Sequence, residues 1–204
     1  MEPKYAIVFV WFVWLASWLA ATSWAKPTVK TPARWSEFPY RLLQGLGFAM
    51  VFASLGQSQD YSPEPNVSAK VLSFLFTQLW ELPWAGGWVA VLLALGGLAF
   101  AWWARLHLGT LWSSSVTRKE DHTIIDTGPY GFVRHPIYTG LLLGTIALAA
   151  VSGRLLAVIG LVAVAVGIFI KARLEERFLS AELGAEAYAA YRKRVPMLIP
   201  GSPV

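Results

Sequence analysis

The chain of 204 residues contains no cysteine. Disulfides, thiolate nucleophiles and cysteine-ligated zinc are therefore excluded. Charge is scarce as well. Asp, Glu, Lys and Arg make up 14% of the residues, where a soluble domain carries about 25%. No Gly-x-Gly-x-x-Gly follows a strand-like segment, so the glycine-rich cradle of a dinucleotide-binding domain is not expected. No internal repeat or low-complexity tract interrupts the chain. What fills the sequence instead is apolar: 56% hydrophobic residues and a mean hydropathy of +0.50. That composition excludes an ordinary soluble globule and points to an all-α, polytopic membrane helix bundle.

Five apolar blocks are candidate spans: Tyr5 to about Trp24, about Leu42 to Leu55, Gly86 to about Leu106, Ile137 to Val151, and Leu155 to Ile170. A spanning helix needs about 20 mostly apolar residues, so the second, fourth and fifth blocks are expected to extend into their flanks. Val71 to Leu82 is also apolar, but it is short and flanked by Pro63, Pro65 and Pro83; it reads as an interfacial or re-entrant piece. Residues 57–69 read as a turn-rich loop. The first block ends in Ser23-Trp24-Ala25, the small-x-small pattern of a cleavage site. Its apolar core is too long for a cleaved leader, and it is read as a span.

The basic residues set an orientation. With five spans and the N-terminus outside, the cytoplasmic segments hold Lys26, Lys30, Arg34 and Arg41; Arg105, Arg118, Lys119 and Arg134; and six more between Lys171 and Arg194. Fourteen of the 17 Lys and Arg residues then lie inside, and only Lys4, Lys70 and Arg154 lie outside, as the positive-inside rule requires. The net charge of +5 is thereby explained without a nucleic-acid partner. The expected location is an integral membrane protein of the bacterial inner membrane, N-terminus outside and C-terminus cytoplasmic. Many of the eleven Trp residues cluster near span ends, which fits an aromatic belt at the headgroups; a Trp-lined substrate tunnel is the sharper alternative.

Two polar elements stand out. Residues 128–140 read Gly-Pro-Tyr-Gly-Phe-Val-Arg-His-Pro-Ile-Tyr-Thr-Gly, and Glu175-Glu176 follows after one apolar hairpin. Pro136 suits the first turn of a helix and pushes its predecessor extended. Arg134 and His135 are therefore expected in a loop, with Tyr138 in the first turn of span four. The short link Ser152-Gly153-Arg154 forces an antiparallel hairpin. Its arms to His135 and Glu175 measure roughly 27 and 32 Å at about 1.5 Å per residue, so both ends return to one membrane face. Gly140 and Gly144 form a small-xxx-small pair expected to let span five approach span four. Beyond Ile170 the fifth span should continue as an amphipathic helix to a C-cap at Gly184. A short helix then carries Tyr188 and Tyr191 on one face.

Each of these residues has a plain structural reading beside the functional one. The Glu pair, among Lys171, Arg173 and Arg177, reads alone as a solvated face; Arg134 as a topology charge; His135 as a helix cap; the two tyrosines as packing. The spacing of His107, His122 and His135 fits no compact metal motif. Convergence on one membrane face is what favours a site, because polar groups at membrane depth usually mark function.

The ordered set of His122, Gly128, Tyr130, Arg134-His135-Pro136, Tyr138 and Gly140, then Glu175-Glu176, Gly184, Tyr188, Tyr191 and Pro196, resembles the isoprenylcysteine carboxyl methyltransferase family. Phospholipid N-methyltransferases share the Arg-His-Pro and Glu-Glu elements more loosely. The match covers about residues 105–200. The chain is thus divided into residues 1–104, N-terminal spans on the acceptor side, and residues 105–204, a methyltransferase region with a cytosolic C-terminal helical cofactor site. The resemblance implies an S-adenosylmethionine-dependent membrane methyltransferase acting on a lipophilic small-molecule or lipidated acceptor. Its expected cofactor-binding residues are His122, Tyr130, His135, Tyr138, Glu175, Glu176, Tyr188 and Tyr191. Arg134 and Glu175 are the expected catalytic residues, Arg134 to orient an acceptor carboxylate that needs no general base, and no metal is expected. N-methylation of a phospholipid or amine, a sterol-reductase-like nicotinamide enzyme and a non-enzymatic membrane scaffold are the alternatives. The Glu pair argues against the nicotinamide reading, since a dinucleotide phosphate wants basic partners.

Overall fold

The computed structural model describes residues 1–24, 28–31, 33–56, 67–113, 118–119 and 124–202. Nearly all of the described chain is helical: α1 (Pro3–Ala20), α2 (Arg34–Gly56), α3 (Val67–Leu75), α4 (Trp84–Leu108), α5 (Pro136–Ser152), α6 (Leu155–Leu183) and α7 (Ala185–Arg194). One short antiparallel ladder joins β1 (Thr28–Lys30) to β2 (Arg118–Lys119). Three helical stretches, Pro3–Trp24, Trp84–Leu111 and Leu155–Glu182, are long and apolar enough to cross a membrane. Helix α5 is shorter, and α2 is long but opens on a polar turn with Glu37 and Arg41. Large apolar side chains such as Phe9, Phe12, Leu92 and Val162 face outward, which suits lipid rather than water. The segment expected to be interfacial is the nine-residue helix α3 followed by an extended strip, and it does not traverse the bundle.

Helix pairing departs from the order of the chain. Helices α5 and α6 are linked by the tight turn at Gly153, yet α5 packs chiefly on α4, and α6 chiefly on α2. Gly140 and Gly144 therefore do not serve the approach of α6 as expected. A Cβ on Gly140 would collide with the Gly97 carbonyl and Ala101 of α4, and one on Gly144 would meet Trp11 of α1 and Leu98. The reason lies in α4, whose buried face carries the small residues Gly87, Ala90, Ala94, Gly97, Ala101 and Ala104 beside Val91, Leu98 and Arg105. Without a hydrophobic drive between helices in lipid, close backbone approach through small residues decides partners. The same device joins α2 to α6, where Gly47 and Gly160 face each other. Helix α1 is pegged to this core by two indoles: Trp11 Nε1 donates to the Gly144 carbonyl at 3.3 Å and Trp14 Nε1 to that of Leu98 at 3.2 Å.

The two ends of the bundle differ. At the end holding Gly153, the strip after α3 closes the hairpin: Leu79 N donates to the Gly153 carbonyl at 2.8 Å and Leu155 N to that of Thr77 at 3.1 Å. Ser54 and Ser152 share a hydrogen bond of 2.7 Å, and Arg154 Nη1 donates to the Ser54 carbonyl at 3.0 Å. Gly153 has φ 62°, and a side chain there would strike the Trp80 carbonyl. This end is sealed. The other end gathers the 28–31, 109–113, 118–119 and 124–135 segments, α7 and the tail, and there a cavity opens.

Candidate active site

The site begins with a 3-10 turn, Gly128–Gly131, that buries Pro129 and Tyr130. Gly128 takes φ 56° with the His107 ring where a side chain would stand. The His107 ring stacks on Tyr130 at 6.3 Å, and its Nε2 lies 2.9 Å from Thr127 Oγ1. Arg134 and His135 follow in a loop and α5 starts at Pro136, as the sequence predicts, although His135, at φ −126° and ψ 64°, is not extended. No side-chain cap comes from His135. Its ring instead lies flat against Tyr138, 5.2 Å between centroids and 8° from parallel.

Helix α6 runs past the apolar segment and ends at Gly184, φ 105°, as expected of a C-cap. Its 29 residues at about 1.5 Å each carry the Glu pair to the level of the α5 start. Glu175 and Glu176 then part. Glu175 lines the cavity, accepts from Tyr138 Oη at 2.6 Å and lies 3.8 Å from His135 Nδ1. Glu176 is turned inward: its Oε1 accepts from Arg134 Nε at 2.7 Å and lies 3.3 Å from His135 Nε2, while Oε2 is 3.6 Å from Arg192 Nε.

The tail completes the arrangement, and nothing in the sequence pattern announces it. Arg134 N donates to the Pro196 carbonyl at 2.8 Å and His135 N to that of Met197 at 3.1 Å. Thr139 Oγ1 donates to the Leu198 carbonyl at 2.7 Å. Arg134 Nη1 reaches the carbonyls of Arg192, at 3.2 Å, and Val195. The backbone amides of Arg134 and His135 are thus spent on the chain's own C-terminal segment. Tyr188 and Tyr191 of α7 meet edge to face at 6.0 Å, and Tyr191 Oη donates to the Tyr130 carbonyl at 2.8 Å. Burial pushes the phenols of Tyr130, Tyr188 and Tyr191 upward from their ordinary range, so all three stay neutral near pH 7.

Within this frame lies a cavity of about 230 Å³. One wall is Tyr130, Arg134, His135 and Tyr138; a second is Lys171, Glu175 and Leu179 of α6; a third is Tyr188 and Tyr191. The remaining wall is aromatic and apolar, with Trp18, Leu108, Leu111 and Trp112. Of the residues expected here, the structure brings together Tyr130, Arg134, His135, Tyr138, Glu175, Tyr188 and Tyr191 around the cavity, and sets Glu176 behind it. His122 lies outside the described residues. Among the described residues no cluster of three or more His, Cys, Asp or Glu side chains is placed to hold a metal ion.

Two charges went unread in the sequence, and two of the tryptophans fit the Trp-lined alternative rather than the belt. Lys171, counted there as a topology charge, has Nζ 5.2 Å from the Tyr138 ring centroid. Arg105, counted likewise, is 2% exposed, with its guanidinium 3.4 Å from the Trp112 ring centroid and 4.7 Å from that of Trp18. Its Nη2 donates to the Ala21 carbonyl, whereas Nε and Nη1 are buried with no hydrogen-bond partner among the described residues. Trp18 and Trp112 are cavity walls rather than members of a headgroup belt. A Trp between two apolar segments looks alike in sequence whichever way it turns, so no local signal distinguishes these two from exposed Trp35 and Trp84.

The chain is similar to the cobalt-zinc-cadmium resistance protein CzcN of Cupriavidus metallidurans, 34% identical over 121 residues, 57% of this chain and 53% of that protein. It thus spans about half the length of that relative. Residues 89–181 match the isoprenylcysteine carboxyl methyltransferase (ICMT) family. That stretch starts inside α4, holds the α5 start and the Glu pair, and stops short of α7 and the tail. Residues 89–181, the segment that builds two walls of the cavity, are thus similar to the isoprenylcysteine carboxyl methyltransferase family.

Proposed function

We propose that this protein is a membrane methyltransferase that takes the methyl group of S-adenosylmethionine and transfers it to the carboxylate of a lipophilic acceptor. The observation that carries the reading is the two-sided cavity: Glu175, His135, Lys171 and four tyrosines on one side, Trp18, Trp112 and leucines on the other. The polar side fits the cofactor by its donor set. Glu175 suits an ammonium or ribose hydroxyls, His135 and Lys171 suit a carboxylate, and the tyrosine faces suit an adenine or a sulfonium. The apolar side suits the acceptor's hydrocarbon. When bound, the cofactor supplies an electrophilic methyl group. The chain's own part is to position and to set the field. Arg134, Lys171 and buried Arg105 supply positive potential for an ionised acceptor. Glu176 acts through Arg134 and His135 by holding both in place. Carboxylate methylation is favoured over amine methylation by the proton inventory. An amine needs a base, whereas the tyrosines stay protonated, Glu175 already accepts from Tyr138 and both His135 ring nitrogens stand against the two glutamates.

In this reading α1, α2, α4, α5 and α6 all cross the membrane. The N-terminus lies outside, and the cavity end faces the cytosol, the source of the cofactor. The test is calorimetric titration of the full chain in lipid nanodiscs with S-adenosylmethionine, its demethylated product and a nicotinamide dinucleotide phosphate. Transfer of labelled methyl to an S-prenylated cysteine or to phosphatidylethanolamine is then measured. Binding of the first two ligands with labelling of the prenylated carboxylate is expected. Absence of heat with both, on folded protein, overturns the enzyme reading; labelling of phosphatidylethanolamine alone replaces the carboxylate acceptor by an amine.

A further inference from the structure

Helix α6 presents two unlike faces beyond its apolar segment. It turns about 100° per residue, so Lys171, Glu175 and Leu179 share the face that lines the cavity, and Arg173, Arg177 and Ser180 share the opposite one. That second face borders a groove of about 500 Å³ between α6 and α7, completed by Arg192 and Ala185, with Glu176 at its floor. Arg192 Nε stands 3.6 Å from Glu176 Oε2, and among the described residues no ion pair involves Arg173 or Arg177. The groove is therefore rich in positive charge, with its single carboxylate already facing an arginine.

The same face continues down the helix as Phe169, Val166, Val162 and Ile159, each between 38% and 56% exposed. All four fall within about 40° of Arg173 around the helix axis. The Arg173 guanidinium lies 5.6 Å from the Phe169 ring centroid, where the apolar stripe meets the charged groove. An outward apolar stripe on a membrane helix meets acyl chains, and cations at its end meet headgroups.

We propose that this groove binds the phosphate headgroup of an anionic phospholipid, with an acyl chain lying along the Ile159–Phe169 stripe. Charge complementarity in register with an apolar track supports this assignment, independently of the methyl-transfer reading. Arginine suits a phosphate through paired donation from one planar group.

The test uses the full chain in neutral detergent micelles, titrated with phosphatidylglycerol, phosphatidylcholine or glycerol phosphate and read by native mass spectrometry. Phosphatidylglycerol should be retained in preference to phosphatidylcholine. The Arg173→Gln/Arg177→Gln double variant should weaken phosphatidylglycerol about twenty-five-fold, each removed charge near an anionic lipid being worth roughly fivefold, with phosphatidylcholine unchanged. Lys193→Gln removes an exposed charge at the same end outside the groove and should leave phosphatidylglycerol binding intact. Equal retention of the two lipids overturns the proposal. So does an equal loss in Lys193→Gln, which marks diffuse surface charge, and so does displacement of the lipid by glycerol phosphate at similar concentration, which marks a site for soluble anions. Thermal unfolding in phosphatidylcholine discs confirms that both variants fold.

Discussion

Arg134 Nε lies 2.7 Å from Glu176 Oε1, and both side chains are almost wholly buried, at 6% and 3% exposure. This ion pair joins the loop before α5 to the far end of α6. It is also tied to the tail, through Arg134 Nη1 and the carbonyls of Arg192 and Val195. Removing one partner strands a buried charge, which costs about 3–5 kcal/mol. Arg134→Met is expected to lower the thermal unfolding midpoint markedly in lipid nanodiscs, and Arg134→Met/Glu176→Leu to recover part of the loss. A single variant as stable as the parent contradicts this bracing role.

Glu175 should behave differently from its neighbour. It lines the cavity and is about 29% exposed, so Glu175→Gln is expected to leave the unfolding midpoint nearly unchanged. It removes the charge while keeping an oxygen for Tyr138. Loss of one charge-assisted hydrogen bond, about 1.5–3 kcal/mol, should weaken S-adenosylmethionine binding roughly tenfold or more by calorimetry. Equal affinity in parent and variant would show that the carboxylate does not touch the cofactor.

Substitutions at glycine separate packing from propensity. Gly140→Leu drives a side chain into the Gly97 carbonyl and Ala101 and is expected to destabilise the α4–α5 pair by about 1–3 kcal/mol or more. Gly96→Ala, one residue away from Gly97 on the same helix, meets nothing within 4 Å and should be neutral or stabilising by up to about 1 kcal/mol. Thermal unfolding of both in one lipid composition reads the contrast.

The tail is expected to depend on Thr139. Thr139→Val removes the hydrogen bond to the Leu198 carbonyl at a net cost of about 1 kcal/mol. Hydrogen exchange should then speed up at residues 197–199 and at the start of α5, while the Gly153 end stays protected. Unchanged exchange at the tail would mean that the backbone bonds from Arg134 and His135 hold it alone.

Orientation is checked with single cysteines, which the native sequence leaves free to be introduced. Ser68→Cys, in α3 at the sealed end, should react with an impermeant thiol reagent on intact cells. Ser202→Cys, in the tail at the cavity end, should react only after lysis. The reverse pattern overturns both the N-outside topology and a cytosolic route for the cofactor.

The local elements were legible in the sequence alone. Apolar block length and the proline and glycine signals placed the ends of α5 and α6, the hairpin at Gly153, the cap at Gly184 and the tyrosine pair on α7. Each of these depends on neighbours in the chain, so pattern suffices to read it. The hairpin length also brought Arg134, His135, Tyr138 and the Glu pair to one level. Tertiary structure decided everything that depends on which way a side chain turns. It gave Gly140 and Gly144 to α4 rather than α6, because the small-residue stripe of α4 allows the closer approach. It split Glu175 from Glu176, since adjacent helical residues point about 100° apart and only packing fixes which faces the cavity. It folded the tail back onto the α5 start through backbone bonds that carry no sequence signature. It also turned Arg105 inward between Trp18 and Trp112, although a charge at the end of an apolar block reads in sequence only as a mark of orientation.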